Sequence, residues 1–414
     1  MSKRNITIIT IILLLFIGIL IFLFGRKERA PGESGGFFEG LFPSPPSETV
    51  TRPPSQFPPQ ITEKDVATQI GSGAAAGLPQ WSLIPLGNDP IASLVAFGTT
   101  TRYNKNIPEN LGHLFERKKD ALGYEERISN LLIQRIGNIA WSPDGQKTLI
   151  SYFDEADSLR KFLIEYRGTS TPKTRFVEDN IDSVAFSPDG KSLGYILKDS
   201  ESLDIYTATL DFKGPHKILD NNIPTFEISW PSKNFLALKS KSSYAINGFL
   251  YTLNAGGGLL NKIVEGLGLD ALWNRDGTGF VFSQSNAGGR MLSLSYYNFG
   301  KKESGVLPFA TIAEKCVFGK KDSMVLYCGI PASVPPGRYP DDWWQGKVSF
   351  RDSIIAYDLK NEKIIHFAPT VSDTTNLAIF SDDSYLFFID KNTSRLWALK
   401  LVDDRIGNLP KVEE

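Results

Sequence analysis

The sequence predicts an all-β protein, a seven-bladed β-propeller, with six blades as the alternative. Three observations predict it. A segment of about 44 residues recurs along the chain, each copy holds a tight polar turn between two short apolar runs, and β-branched and aromatic residues are plentiful. Four short strands in a repeat of this length are typical of one propeller blade.

An aromatic residue ends the first apolar run of each copy. Successive aromatic positions are 45, 44, 43, 45 and 62 residues apart, so four steps are nearly equal and one is enlarged. A large apolar side chain at this point suits packing against the neighbouring sheet. These positions are Trp141, Phe186, Trp230, Trp273, Phe318 and Phe380.

The turn that follows the aromatic residue reads SPDG in two copies, at 142–145 and 187–190. Its proline presets φ, its aspartate can bond the following backbone, and its glycine supplies a positive φ. The repeated aspartates are therefore predicted to shape turns rather than to carry chemistry.

A degenerate copy precedes the first full motif and brings the count to seven. Residues 91–103 supply its first two strands, 112–117 the third and 125–129 the fourth. Six blades result if residues 91–130 do something else. Because the last copy lacks a clear fourth strand, we expect WSLIPL at 81–86 to close the ring and protect its edge.

The SPDG motifs resemble the WD-like propeller repeats of the bacterial periplasmic Tol-system propeller and of the dipeptidyl-peptidase-four N-terminal domain. The full motif is present at 141–145 and 186–190, and 273–277 keeps the Asp-Gly pair. As architecture the resemblance covers residues 81 to about 402, and it implies a bacterial envelope protein that scaffolds or recognises other molecules. It carries over no catalytic residue, and no nucleophile elbow of the hydrolases is identified, because the two G-x-S-x-G matches, at 32–36 and 190–194, lie in the linker and in an SPDG repeat.

The start of the chain predicts a membrane anchor and a stalk. Residues 6–24 form an uncharged apolar run long enough to span a bilayer, whereas a cleavable signal peptide, the alternative, has a shorter run. We expect a cytoplasmic head at 1–5 and the body outside the cell membrane, although the flanking charges do not decide the orientation. Pro, Gly and Ser predict a linker at 25–78, before a propeller at 79–404 and a tail at 405–414.

Composition argues against several classes of function. Lys and Arg number 45 against 46 Asp and Glu, so the basic excess of a nucleic-acid-binding protein is missing. Two cysteines exclude a four-cysteine zinc site, and His113, His216 and His366 are far apart in the sequence. We therefore predict no catalytic residue, no cofactor and no metal.

Cys316 and Cys328 flank a hairpin turn near position 322. Folding the hairpin there places the two residues roughly opposite each other, within reach of a disulfide. A cross-strand disulfide, which an extracytoplasmic compartment permits, and a pair of buried free thiols both remain open.

The enlarged step contains an insertion at 330–350, which is the predicted binding site. Loops on a rigid scaffold tend to carry function, and Trp, Tyr and Arg are enriched in binding hot spots. The alternative is that one tryptophan plugs the end of the blade while the prolines stiffen the loop. The candidate binding residues are Arg338, Tyr339, Asp341, Asp342, Trp343 and Trp344.

The predicted function is a membrane-anchored extracytoplasmic scaffold that binds an envelope protein or a glycan, without catalysis. The alternative is an enzyme, glycan-acting or otherwise hydrolytic, with its site in the propeller channel. Such a site would need carboxylates that converge at one end of the channel, and the sequence does not identify such a set. A sensor or a secretion-system component is a third possibility.

Overall fold

The computed structural model describes residues 82–106, 112–166, 172–198, 203–220, 226–370 and 372–401. Within these ranges the strands form seven four-stranded antiparallel sheets, and each sheet is one blade. The predicted seven-bladed β-propeller is confirmed, and the six-bladed alternative is wrong because residues 91–127 form a complete blade of their own.

The strands follow one another through the blades in chain order. Those of the first four blades, with the strand that precedes them, are β1 (Ser82–Pro85), β2 (Ile91–Phe97), β3 (Thr100–Lys105), β4 (Leu114–Lys118), β5 (Glu126–Arg127), β6 (Ile136–Trp141), β7 (Lys147–Phe153), β8 (Leu159–Glu165), β9 (Lys173–Val177), β10 (Ile181–Phe186), β11 (Ser192–Lys198), β12 (Leu203–Thr209), β13 (His216–Leu219), β14 (Phe226–Ser232), β15 (Phe235–Ser240), β16 (Asn247–Asn254) and β17 (Asn261–Leu267). Those of the last three blades are β18 (Asp270–Trp273), β19 (Gly279–Ser285), β20 (Leu292–Asn298), β21 (Glu303–Val306), β22 (Cys316–Phe318), β23 (Val325–Pro331), β24 (Asp352–Asp358), β25 (Lys363–Pro369), β26 (Thr374–Ile379), β27 (Tyr385–Asp390) and β28 (Leu396–Lys400). Short helical segments between them include the 3₁₀ turns η1 (Lys119–Ala121) and η2 (Ala313–Lys315) and the helix α1 (Asp341–Trp344).

The start of the described chain closes the ring. Strand β1 pairs antiparallel with β28, the third strand of the last blade, and places Ile84 opposite Ala398. The predicted closing strand is therefore confirmed. Because the first and last parts of the propeller share one sheet, the backbone hydrogen bonds of that sheet hold the ring shut.

The SPDG turns have the conformation that the sequence predicts. Gly145 has a φ of 63°, and Oδ1 of Asp144 accepts a hydrogen bond of 3.0 Å from the backbone N–H of Gln146. The second copy repeats the conformation, with a φ of 66° at Gly190. A Cβ on Gly145 would come within 2.2 Å of the Phe97 ring, so this turn also packs the second blade against the first.

The core is a series of apolar clusters shared by neighbouring blades. One cluster joins Phe380 and Phe387 of the last blade to Tyr103 and Phe115 of the first. Others join the third blade to the fourth and the fifth to the sixth. Each fully buried side chain of this kind contributes about 1.5–3 kcal/mol, so the aromatic positions of the repeat hold the blades together.

Cys316 on β22 and Cys328 on β23 lie directly opposite each other in the sixth blade. They form a disulfide, with a Cα–Cα distance of 4.1 Å, inside the apolar cluster between the fifth and sixth blades.

The anchor predicted at 6–24, the linker at 25–78 and the tail at 405–414 lie outside the described residues. Within the described part of the chain, no helix has the length and apolar character needed to cross a membrane.

Candidate active site

The insertion at 330–350 joins β23 to β24 and lies across one end of the ring. The backbone N–H of Tyr244, in the loop between β15 and β16, donates a hydrogen bond of 2.8 Å to Asp341. The backbone N–H of Tyr339 donates another of 2.8 Å to the carbonyl of Gly289, between β19 and β20. The insertion therefore reaches from the sixth blade over the fifth to the fourth.

The residues predicted to bind a partner have different environments. Tyr339 and Trp343 are 0 % and 1 % exposed and pack in one apolar cluster. Asp342 accepts a hydrogen bond of 2.9 Å from the backbone N–H of Arg338 and so shapes the loop. Trp344, by contrast, remains 39 % exposed, so the two adjacent tryptophans face in different directions.

Trp344 contacts Glu314, a residue that the sequence analysis did not identify. Its Nε1 donates a hydrogen bond of 2.8 Å to Oε2 of Glu314. Glu314 lies in η2, just before β22, and η2 contacts β18 and β26, the first strands of the neighbouring blades. First strands line the channel of a propeller, and in an antiparallel blade the start of the first strand lies at the same end as the second–third loop. Glu314 is therefore at the channel mouth, under the insertion.

The residue Glu314 is exposed to solvent, although neighbouring side chains crowd its carboxyl group. Burial, and then the negative charge of Asp270, raises the pKa of Glu314 to about 7, against the opposing effects of the Trp344 hydrogen bond and of Lys239 and Lys315. The backbone N–H of Glu314 also donates to Oδ2 of Asp270 at 2.9 Å. A carboxyl group with a pKa near neutrality can both take up and release a proton, as general acid–base catalysis requires.

Ammonium groups surround this carboxyl group. Lys239 lies 2.6 Å from Asp270 and 3.0 Å from Glu227, and these two carboxylates keep its pKa raised although burial opposes them. Lys391 lies 4.4 Å from the centre of the Trp343 ring. Burial lowers the pKa of Lys391, while nearby carboxylates act in the opposite direction. Because Lys239 is already paired with two carboxylates, the site combines one proton-exchanging acid with one ammonium group, Lys391, that can attract an anion.

Metal-binding geometry is not evident at this site. Among the residues that the structure describes, no group of three or more His, Cys, Asp and Glu side chains is arranged to hold a metal ion.

The fold and the site define a seven-bladed β-propeller with a titrating carboxyl group at its channel mouth. Two solved oligogalacturonate lyases share this architecture. One, in complex with manganese, aligns over 79% of this chain and 99% of its own, with a TM-score of 0.54 and 10% identity. The other, from Vibrio parahaemolyticus, aligns over 78% and 95%, with a TM-score of 0.57 and 8% identity. At this identity the likeness shows the fold.

Solved TolB propellers also match. A putative TolB from Agrobacterium tumefaciens covers 56% of this chain and 90% of its own, with a TM-score of 0.41 and 15% identity. TolB from Acinetobacter baumannii covers 82% and 70%, with a TM-score of 0.42 and 12% identity. The predicted propeller architecture is confirmed by the seven four-stranded sheets. No protein-family model matches the chain, and no curated protein matches it in sequence.

The prediction of a binding scaffold without catalysis is wrong. It relied on propellers that only recognise partners, but the structures that align over 78–79% of this chain with TM-scores above 0.5 are enzymes by name. The same fold therefore serves catalysis, and the enzyme alternative has the better support.

Proposed function

We propose that this protein is an enzyme that acts on a glycan at the channel mouth, with Glu314 as its acid–base group. The observation that carries the proposal is the hydrogen bond from the exposed indole of Trp344 to the carboxyl group of Glu314. It places a ring that can stack on a sugar beside a group that can exchange a proton. The near-neutral pKa of Glu314 supports the same role.

An acidic glycan suits the charges around Glu314. Lys239 and Lys315 are each held between two carboxylates, so Lys391, which also interacts electrostatically with Glu314, is the ammonium group that can serve a substrate. Ammonium groups attract and orient a substrate carboxylate, most strongly where protein limits the access of water. Oligogalacturonate, which gives its name to the lyases of the same fold, is the first acidic glycan to test.

A single titrating carboxyl group suits an elimination better than a hydrolysis. Glycoside hydrolysis generally uses two carboxyl groups in separate roles, and here Asp270 is engaged by Lys239 and by the backbone of Glu314. In an elimination, ionised Glu314 removes the proton on the carbon next to the substrate carboxylate. The electron pair forms a double bond to the neighbouring carbon as the bond from that carbon to the glycosidic oxygen breaks, and this oxygen takes up the proton that Glu314 removed.

The cation that could support this step is Lys391. Charge builds on the substrate carboxylate as the proton leaves, and a nearby ammonium group stabilises that charge. Lys391 is only partly buried, whereas Lys315 is completely enclosed.

The experiment compares full-length wild-type protein with the Glu314→Gln variant on a panel of acidic and neutral oligosaccharides. Ultraviolet absorbance detects the unsaturated product of elimination, and a reducing-end assay detects cleavage of either kind. We expect the wild type to cleave an acidic substrate and E314Q to be slower by about 10²–10⁴-fold. Glu303→Gln, at an exposed position on β21, is the control and should keep the wild-type rate. A wild type inactive on every glycan, or an unchanged rate in E314Q, overturns the proposal.

We also propose that residues 6–24 anchor the protein and that the propeller lies outside the cytoplasm. The disulfide between Cys316 and Cys328 supports this location, since structural disulfides persist mainly in oxidising compartments. Membrane fractionation followed by protease treatment of intact and permeabilised cells tests it. A propeller that is digested only after permeabilisation of the inner membrane contradicts the proposal.

A further inference from the structure

We infer that Trp343 and Asp373 are positioning residues, which hold the insertion so that Trp344 stays on Glu314. A catalytic role for this positioning rests on the proposed function. The contacts that carry it, however, are independent of any substrate.

Asp373 accepts hydrogen bonds from several residues of the insertion. It is completely buried and lies just before β26 of the seventh blade. Its two carboxylate oxygens accept hydrogen bonds of 3.1 and 2.9 Å from Nε1 of Trp343. Oδ2 also accepts bonds of 3.0 Å from the backbone N–H of Phe350 and of 3.2 Å from the hydroxyl of Ser349. Three groups of the insertion therefore converge on one carboxylate.

The same carboxylate is bound to the segment that carries Glu314. Lys315, the next residue, is completely buried, and its Nζ donates a hydrogen bond to Asp373. This Nζ also lies 2.8 Å from Oδ2 of Asp352, the first residue of β24. Burial raises the pKa of Asp352, while Lys315 acts to lower it. Removal of one partner of a buried ion pair leaves the other charge uncompensated, so separating these segments is unfavourable.

Adjacent residues of the insertion thus bind adjacent residues of η2. Trp343 is joined to Lys315 through Asp373, and Trp344 bonds Glu314 directly. The Lys315 ammonium also lies 5.0 Å from the centre of the Trp343 ring, within cation–π range. Because Trp343 is fixed in this way, the backbone directs the neighbouring Trp344 toward Glu314.

Several elements contribute charges that act on the Glu314 carboxyl group. An indole N–H donor favours its ionised form, so loss of the Trp344 bond should shift its titration to higher pH. The groups that face it or interact with it electrostatically are Asp270 of β18, Lys239 of β15, Lys315 of η2, Trp344 of α1 and Lys391 after β27.

The test is a fluorescence titration of the full-length protein. Protonation of Glu314 removes the charged acceptor of the Trp344 indole, so the emission should change with a midpoint near pH 7. The transition should be absent in Glu314→Gln and in Trp344→Phe. In Trp343→Phe and Asp373→Asn it should be weaker than in the wild type and displaced to higher pH, because Trp344 then bonds the carboxyl group for only part of the time.

The matched control is Trp397→Phe on β28. Within the described part of the chain, Nε1 of Trp397 is buried without a hydrogen-bond partner, so this variant should keep the wild-type midpoint. Circular dichroism and thermal unfolding establish that each variant is folded. If Trp343→Phe and Asp373→Asn fold and keep the wild-type midpoint, the inference fails.

A second measurement covers the case in which those two variants do not fold. In wild-type protein labelled with ¹⁵N-tryptophan, the indole N–H signal of Trp344 should titrate with the fluorescence midpoint, while that of Trp343 should be protected from hydrogen exchange. Rapid exchange at Trp343, or a Trp344 signal that does not titrate, overturns the inference.

The cleavage assay separates this inference from the proposed function. A fluorescence transition that depends on Asp373, without cleavage of any glycan, keeps the positioning role and overturns the enzyme. Cleavage that Glu314→Gln abolishes, but whose pH profile Asp373→Asn leaves unchanged, keeps the enzyme and overturns the positioning role.

Discussion

The indole nitrogen of Trp344 lies 2.8 Å from Oε2 of Glu314, and this hydrogen bond joins residues that are 30 positions apart in the chain. The donor favours the ionised carboxylate, while burial and the charge of Asp270 favour the neutral acid. These opposing effects leave the proton exchangeable near neutral pH, at a point that solvent can reach.

Replacing Glu314 by glutamine should change how the stability of the protein depends on pH. The folded state raises the pKa of Glu314 from 4.5 to about 7, so between these values the folded protein holds a proton that the unfolded chain releases. The wild type therefore loses stability as the pH rises through this interval. Glutamine cannot ionise, so E314Q should gain in stability relative to the wild type over the same interval, as measured by urea unfolding at a series of pH values.

The control for that comparison is Glu303→Gln, at an exposed position on β21. Its stability should stay parallel to that of the wild type across the interval. Parallel curves for the wild type and E314Q would show instead that Glu314 titrates alike in the folded and unfolded chains.

The blades could be predicted from the sequence because the same pattern of turn and aromatic residues occurs in several copies. The turn at Gly145 and the aromatic residue at Trp141 recur at nearly constant spacing, so drift in any one copy does not hide the pattern. The closing strand could be predicted because the last copy of the repeat lacks a fourth strand and the apolar run at 81–86 belongs to no other copy.

The site could not be predicted in the same way. Glu314 lies outside the repeated motif, and its titration depends on Asp270, 44 residues earlier, and on Trp344, 30 residues later. The tryptophan pair drew attention to the insertion, but sequence alone does not tell which of two adjacent aromatic residues is buried. Glu314 could have been identified from its place just before the first strand of a blade, because a residue at that place lies at the channel mouth.

Removal of the Cys316–Cys328 disulfide should lower the free energy of unfolding. The bridge closes a loop of 12 residues, and in the chain-entropy model a loop of this size stabilises a protein by about 3 kcal/mol. Urea unfolding of the double Cys→Ser variant should show a loss of that order, and unfolding under reducing conditions should reproduce it. Two reactive thiols in denatured, unreduced wild-type protein would contradict the disulfide itself.

Gly145→Ala should destabilise the protein more than Gly214→Ala. Both glycines have a similar positive φ, 63° and 58°, so the backbone strain of an alanine, about 1–2 kcal/mol, should be similar. At Gly145 the new Cβ would also meet the Phe97 ring at 2.2 Å, whereas at Gly214 it meets nothing within 4 Å. Overpacking adds about 1–3 kcal/mol, which urea unfolding can resolve. Equal losses for the two variants would exclude a packing role for the Gly145 turn.

Trp343→Phe should cost more stability than Trp397→Phe, because it also removes the hydrogen bonds to Asp373. Both substitutions remove an indole, but Nε1 of Trp343 donates to a buried carboxylate, whereas Nε1 of Trp397 is buried without a partner within the described ranges. Loss of the first removes two hydrogen bonds from the buried carboxylate of Asp373, which keeps the donors of Lys315, Ser349 and Phe350, and hydrogen bonds to charged groups contribute about 1.5–3 kcal/mol. Trp397→Phe removes a donor that has no acceptor, so its loss of stability should be smaller than the loss of side-chain volume alone would predict. Chemical unfolding of both variants under one set of conditions gives the difference, and a smaller loss for Trp343→Phe would mean that Asp373 finds other donors once the indole is removed.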